Sequence, residues 1–228
     1  MARGLTSRTV VLTYHDMVPE RNDESLWFDC TPEELQAQID WLKEQGAVFI
    51  SLDELRQGLT GEASLPKGAV AITFADNYRG FLEHAWPILE AEQIAVTMFV
   101  HTGHVGGKTG RPKMTWEELR TLSESPLFSA QSQTVSHPAD LTLLSPEDLR
   151  AEFAESRAAL EENLGRPITM LAYPNGKFSN EAAELAEEAG YVMAFTEELA
   201  LAESAPNLRL IPRWVHTRYE DAWRAANP

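Results

Sequence analysis

The chain has 228 residues, 43% apolar and 24% charged, ordinary proportions for a globular domain. No apolar run is long enough for a membrane-spanning helix. A formal charge of −16, from 35 acidic and 19 basic residues, repels phosphate backbones and argues against nucleic acid and anionic membrane surfaces as partners. Cys30 is alone, which excludes a disulfide scaffold or a cysteine metal cluster within one chain.

The apolar run near the N-terminus is too short for a signal-peptide core and reads as a strand, so no export signal is visible. Strand-type runs follow at 9–15, 47–52, 69–74, 95–100, 168–174, 191–196 and 208–215, with a weaker one near 128–133. Helix starts lie between them. In "TPEE", Thr31 caps, Pro32 takes the first helical position and Glu34 closes a capping box, after which Leu35, Ile39 and Leu42 share one face. "SLDE" at 51–54 and "TWEE" at 115–118 repeat the box. The longest helix, 145–165, stops at Gly165 and Pro167.

Alternation of this kind implies a parallel sheet with helices outside it, and periodicity leaves an open doubly wound sheet and a closed barrel equally open. In either, the site lies at the carboxyl ends of the strands. That rule selects His15, Asp16, Asp76, His101, His104, His137, the 173–176 stretch, Arg213 and His216. The irregular 101–114 stretch is long enough to be a functional loop, from which His101 and His104 could be recruited as ligands.

Five blocks in order carry a resemblance: "LTYHDM" at 12–17, "TFADNYRG" at 73–80, "QSQTVSHPADL" at 131–141, "LAYPNG" at 171–176 and "LIPRWV" at 210–215. Together they resemble the polysaccharide deacetylases of the NodB-homology type, carbohydrate esterase family 4, in the branch acting on poly-N-acetylglucosamine. The similarity runs from about 9 to 217, which makes 1–228 one domain. It implies a distorted (β/α) barrel of about seven parallel strands. It also implies N-acetylglucosamine-containing polysaccharide as the partner and a cell-envelope or extracellular address.

The family reaction needs a divalent metal, usually zinc, to polarise a poorly electrophilic acetamide and acidify water, and a carboxylate to take the water's proton. Carried over residue by residue, Asp76 and His137 match metal ligands. The other metal histidine falls on Gln133 and the general base falls on Ala75. The resemblance makes Arg213 and His216 (as general acid) catalytic. It makes His15, Asp16, Asn77, Tyr173, Pro174, Asn175, Gly176 and Trp214 substrate-binding. A methyl group accepts no proton, and a neutral amide is a poor donor to zinc. Metal binding is therefore expected to be weak or absent. Two readings stay open. One is a glycan- or partner-binding domain without turnover; the alternative is an active N-deacetylase using substitute groups.

Overall fold

The computed structural model describes residues 8–228; the N-terminal residues on which an export signal turns lie partly outside them. The described strands are β1 (Val10–Tyr14), β2 (Val48–Ile50), β3 (Ala69–Ala75), β4 (Val96–Val100), β5 (Phe128–Ser132), β6 (Met170–Ala172), β7 (Met193–Phe195) and β8 (Trp214–Val215). All pairs are parallel, in the order β7-β6-β5-β4-β3-β1-β8, with β2 also paired to β3. The helices are α1 (Pro32–Glu44), α2 (Leu52–Thr60), α3 (Trp86–Ala91), α4 (Trp116–Leu122), α5 (Pro146–Leu164), α6 (Asn180–Glu188) and α7 (Tyr219–Ala226). The sheet curls into a distorted (β/α) barrel, as expected.

The expected strand at 208–215 is broken. Ile211 bridges Phe195 of β7, whereas Trp214 and Val215 pair with β1, so one short segment joins the two sheet edges. Pro212 lies between the two halves and has no N–H for a ladder. The weak strand near 128–133 is real. β5 meets β6 through a single residue pair, and the Gln131 amide oxygen completes the seam by accepting from the Thr169 and Met170 N–H groups.

Strand alternation divides the core. Val70, Ile72 and Phe74 of β3 pack outward against helices, including Leu35, Ile39 and Leu42 of α1, all three fully buried. Each such side chain contributes roughly 1.5–3 kcal/mol of burial. Ala69 and Ala71 face inward with Val11, Phe99, Ala172 and Phe195. The boxes at Thr31, Ser51 and Thr115 form as read, with both reciprocal hydrogen bonds present. The helical stretch after residue 80 opens with a π turn over Phe81–Ala85, just before Pro87.

Candidate active site at the carboxyl ends of the strands

β3 ends at Ala75, and the chain turns at once through Asp76 (φ 70°) and Asn77 (φ 39°). Thr134 (φ 70°) and His137 (φ 53°) follow β5, and Asn175 (φ 55°) follows β6. Among the described residues, five of the six positive-φ residues other than glycine therefore sit in three neighbouring loops. Such residues store about 1–3 kcal/mol each and persist only where surrounding contacts hold them.

Those contacts are visible. The Asp76 N–H donates to Gln133 Oε1 at 2.8 Å, and the Asp76 carbonyl accepts from Lys113 Nζ at 2.9 Å. His101 Nε2 lies 2.9 Å from the same carbonyl, which makes Nε2 the protonated nitrogen. Asn77 Oδ1 accepts from the His101 N–H at 3.2 Å. Burial holds the His101 imidazole down at about 3, so it is neutral near pH 7. Burial also lowers the Lys113 amine, to about 8.

The Asp76 carboxylate approaches His137, with Oδ1 3.3 Å from Nε2. This is an ion pair rather than an aligned hydrogen bond, and Oδ1 is buried with no hydrogen-bond partner. Burial raises the Asp76 carboxyl, but His137, together with the nearby His15 and His101, outweighs it and holds the group well below the usual carboxylate range. For His137, burial lowers the imidazole and Asp76 more than offsets it, for a net rise. The histidine's share of stability is then fully present below about pH 6.5 and is lost as pH rises through the raised value. The aspartate's share is present above about pH 3.9 and is lost as pH falls through the depressed value. NMR titration of the His137 ring protons should give a midpoint above 6.5, and Asp76→Asn should bring it down. A wild-type midpoint at or below 6.5 would refute the pair.

The donor set does not fit a catalytic zinc. Asp76 and His137 contact each other, and the amide oxygen at Gln133 is taken up by a backbone N–H. Among the described residues, no three His, Cys, Asp or Glu side chains converge to hold an ion. The rings of His101 and His104 lie 4.8 Å apart, and that of His101 lies 5.3 Å from His137, yet His101 is tied to the Asp76 carbonyl and His104 Nε2 to Ser136 O. Asp140 caps the next turn through the Thr142 N–H and pairs with Lys177.

Ala75 is fully buried and registers with Phe99 of β4. Arg213 is also fully buried. Its guanidinium lies 5.2 Å from the Phe99 ring and donates to Thr196 O, Thr13 Oγ1 and Glu197 Oε1. His15 Nε2 lies 3.8 Å from the same Glu197 oxygen. Glu197 is absent from the sequence reading, although it follows β7 and the strand-end rule reaches it.

Burial and packing define the surroundings of several other expected site residues. The Tyr173 ring is fully buried and its hydroxyl donates to Arg209 O. Trp214 packs into the helix-side core. His216 is buried and stacked on Tyr14 at 4.8 Å, and burial lowers it to about 4. The Asp16 carboxylate is committed to Arg111 and to the Met17 N–H, and it lines a crevice of about 370 Å³ beside Arg79 and His84. Pro174 is buried, Asn175 donates to Ala139 O, and Gly176 lies against Glu197.

Comparison with known proteins agrees with this architecture. The family model for polysaccharide deacetylase matches residues 62–194. The chain is 27% identical over 165 residues to YxkH of Bacillus subtilis, a match covering 72% of this chain and 57% of that protein. It is 25% identical over 195 residues to the poly-β-1,6-N-acetyl-D-glucosamine N-deacetylase of Staphylococcus aureus, covering 82% of this chain and 67% of that enzyme. Among solved structures, IcaB from Ammonifex degensii superposes with a TM-score of 0.86 at 26% identity, over 97% of this chain and 98% of that one. The Streptococcus pyogenes deacetylase PplD shares the fold, with a TM-score of 0.86 at 24% identity over 97% of this chain and 99% of its own. With more than half its length matched by the family model and the five blocks in place around one strand-end depression, the chain belongs to the polysaccharide deacetylase family.

Proposed function

We propose that this domain binds N-acetylglucosamine-containing polysaccharide in the deacetylase pocket without hydrolysing it. One observation carries the reading: Ala75 stands where a proton acceptor is needed, while the Gln133 amide oxygen holds the Asp76 N–H at 2.8 Å. The substituted residue is built into the loop as a strut, its amide oxygen already accepting the Asp76 N–H. The strained turns at Asp76, Asn77, Thr134 and His137 remain in place around it. Retained loop shape with altered chemistry favours recognition over turnover. The staphylococcal relative acts on poly-β-1,6-N-acetylglucosamine, which makes that polymer the first ligand to test.

The test is calorimetric titration with β-1,6-linked N-acetylglucosamine oligomers, followed by mass analysis of the recovered sugar. Binding with every acetyl group intact is expected. Absence of binding, or chelator-sensitive loss of acetyl groups, overturns the proposal. Hydrolysis with substitute groups draws on one feature, the buried Asp76 Oδ1, which pairs with His137 but has no hydrogen-bond partner. Stoichiometric zinc in protein purified without chelator would favour that alternative.

A further inference from the structure

We infer that Trp27, backed by Phe28, is a sugar-stacking platform at the rim of the depression, and this rests on the glycan reading above. Trp27 is 63% exposed, the one aromatic among the large apolar side chains exposed in the described residues. Leu26 beside it is 45% exposed, so the two form one apolar patch and not a single scattered side chain. Trp27 follows a polar stretch in the loop "PERNDESLWFDC" (19–30), between β1 and α1, and is flanked there by Leu26 and Phe28.

The ring is held but not covered. Trp27 meets Phe28 at 5.6 Å between centroids with the planes 84° apart, and meets His15 at 6.2 Å and 61°. Neither contact is a face-to-face stack, so the exposed surface includes open ring face. Phe28 lies 5.3 Å from His15 and 6.4 Å from the parallel ring of Tyr78. Lys113 Nζ caps Tyr78 at 3.3 Å and reaches the Asp76 carbonyl. The aromatic row therefore runs from solvent to the loop that carries Asp76.

The loop is fixed on both sides of the ring. Arg111 pairs with Asp29 and Asp16, and its guanidinium lies 5.7 Å from the Phe28 ring. Asp29 Oδ2 accepts from the Leu26 N–H at 2.7 Å, and the Cys30 N–H donates to Asp16 O. A platform ordered before binding loses little entropy when it is occupied.

The chemistry selects the occupant. An aromatic face carries the negative end of its quadrupole and attracts the polarised C–H bonds on the apolar face of a pyranose. A β-linked N-acetylhexosamine chain entering the depression presents such faces in series. The same stretch holds Glu20, Asp23, Glu24 and Asp29 against the single Arg21, a charge that disfavours anionic headgroups.

The experiment compares wild type, Trp27→Ala, Trp27→Tyr and Val48→Ala for binding of β-1,6-linked N-acetylglucosamine pentamer by calorimetry. Val48 is exposed at the start of β2, the opposite end of the barrel from the depression. Trp27→Ala should weaken binding about tenfold, Trp27→Tyr should keep most of it, and Val48→Ala should leave it unchanged. Fluorine NMR of 5-fluorotryptophan protein adds a wild-type readout, in which the Trp27 resonance, assigned by its loss in Trp27→Phe, should shift on adding the pentamer. Equal binding by wild type and Trp27→Ala, with an unmoved resonance, overturns the platform and leaves the glycan reading standing. No binding even by wild type overturns both. Trp27-dependent sedimentation with phosphatidylcholine vesicles, without a sugar effect, also overturns it and makes the rim a lipid contact.

Discussion

Acetate release from poly-N-acetylglucosamine oligomers is expected to be undetectable, or at least about a hundredfold below that of a relative with an intact base, the usual scale for losing a general base. The site also says what repair requires. Ala75→Asp places a carboxylate at a fully buried position in register with Phe99, whose ring is covered by the Arg213 guanidinium. The new charge is therefore expected to find a cationic partner rather than remain isolated. Gln133→His supplies an imidazole but removes the acceptor of the Asp76 N–H, a loss of about 1–3 kcal/mol if that donor stays unpaired. Asn77→Gly relaxes a φ of 39° at the expense of the acceptor for the His101 N–H. Groups acting as a unit are strongly non-additive. Zinc should appear with Gln133→His alone, and acetate release only when Ala75→Asp is added, with Asn77→Gly as an aid. Wild-type protein that releases acetate at ordinary turnover and stops with chelator would sink this account. A triple variant that binds zinc yet releases nothing would mean that the surrounding pocket has drifted as well.

Gly176→Ala is expected to destabilise the fold by about 2–5 kcal/mol, from an overpacking cost of about 1–3 kcal/mol and a left-handed backbone cost of about 1–2 kcal/mol. Gly176 has a φ of 66°, and a Cβ there would lie 2.7 Å from both the backbone nitrogen and the Cβ of Glu197. The intruding atoms are near the backbone and cannot swing away. The displaced residue is the one that pairs with Arg213 and His15. Thermal melting should show a drop of roughly 5–15 °C for a chain of this size. Binding of the oligomer should also weaken, because the strand-end loops lose their support. A melting temperature within about 2 °C of wild type would show that the 174–176 turn moves freely and carries no such constraint.

The sequence by itself determined the order of strands and helices, the three capping boxes and the family. These rest on local chemistry: alternating β-type runs, a Ser or Thr three residues before Glu, and five short blocks in a set order. It also marked Ala75 and Gln133 as departures, since a methyl and an amide lack the needed chemistry in any fold. What Gln133 does instead was decided by tertiary structure. Alternation along β5 turns its side chain inward, where the Asp76 N–H, 57 residues earlier in the chain, lies within hydrogen-bonding reach. Tyr173 and His216 read as site residues because they lie near strand ends, and Trp214 because of the family resemblance. Only packing put Tyr173 and Trp214 into the helix-side core and His216 against Tyr14. Glu197 and Trp27 went unread for the converse reason. One acts through Arg213 and His15, contacts made by distant segments, and the other gains its position from a loop pinned by Arg111. Side-chain burial is set by long-range contacts that no local pattern encodes, so the blocks named the family while the tertiary contacts assigned the surfaces.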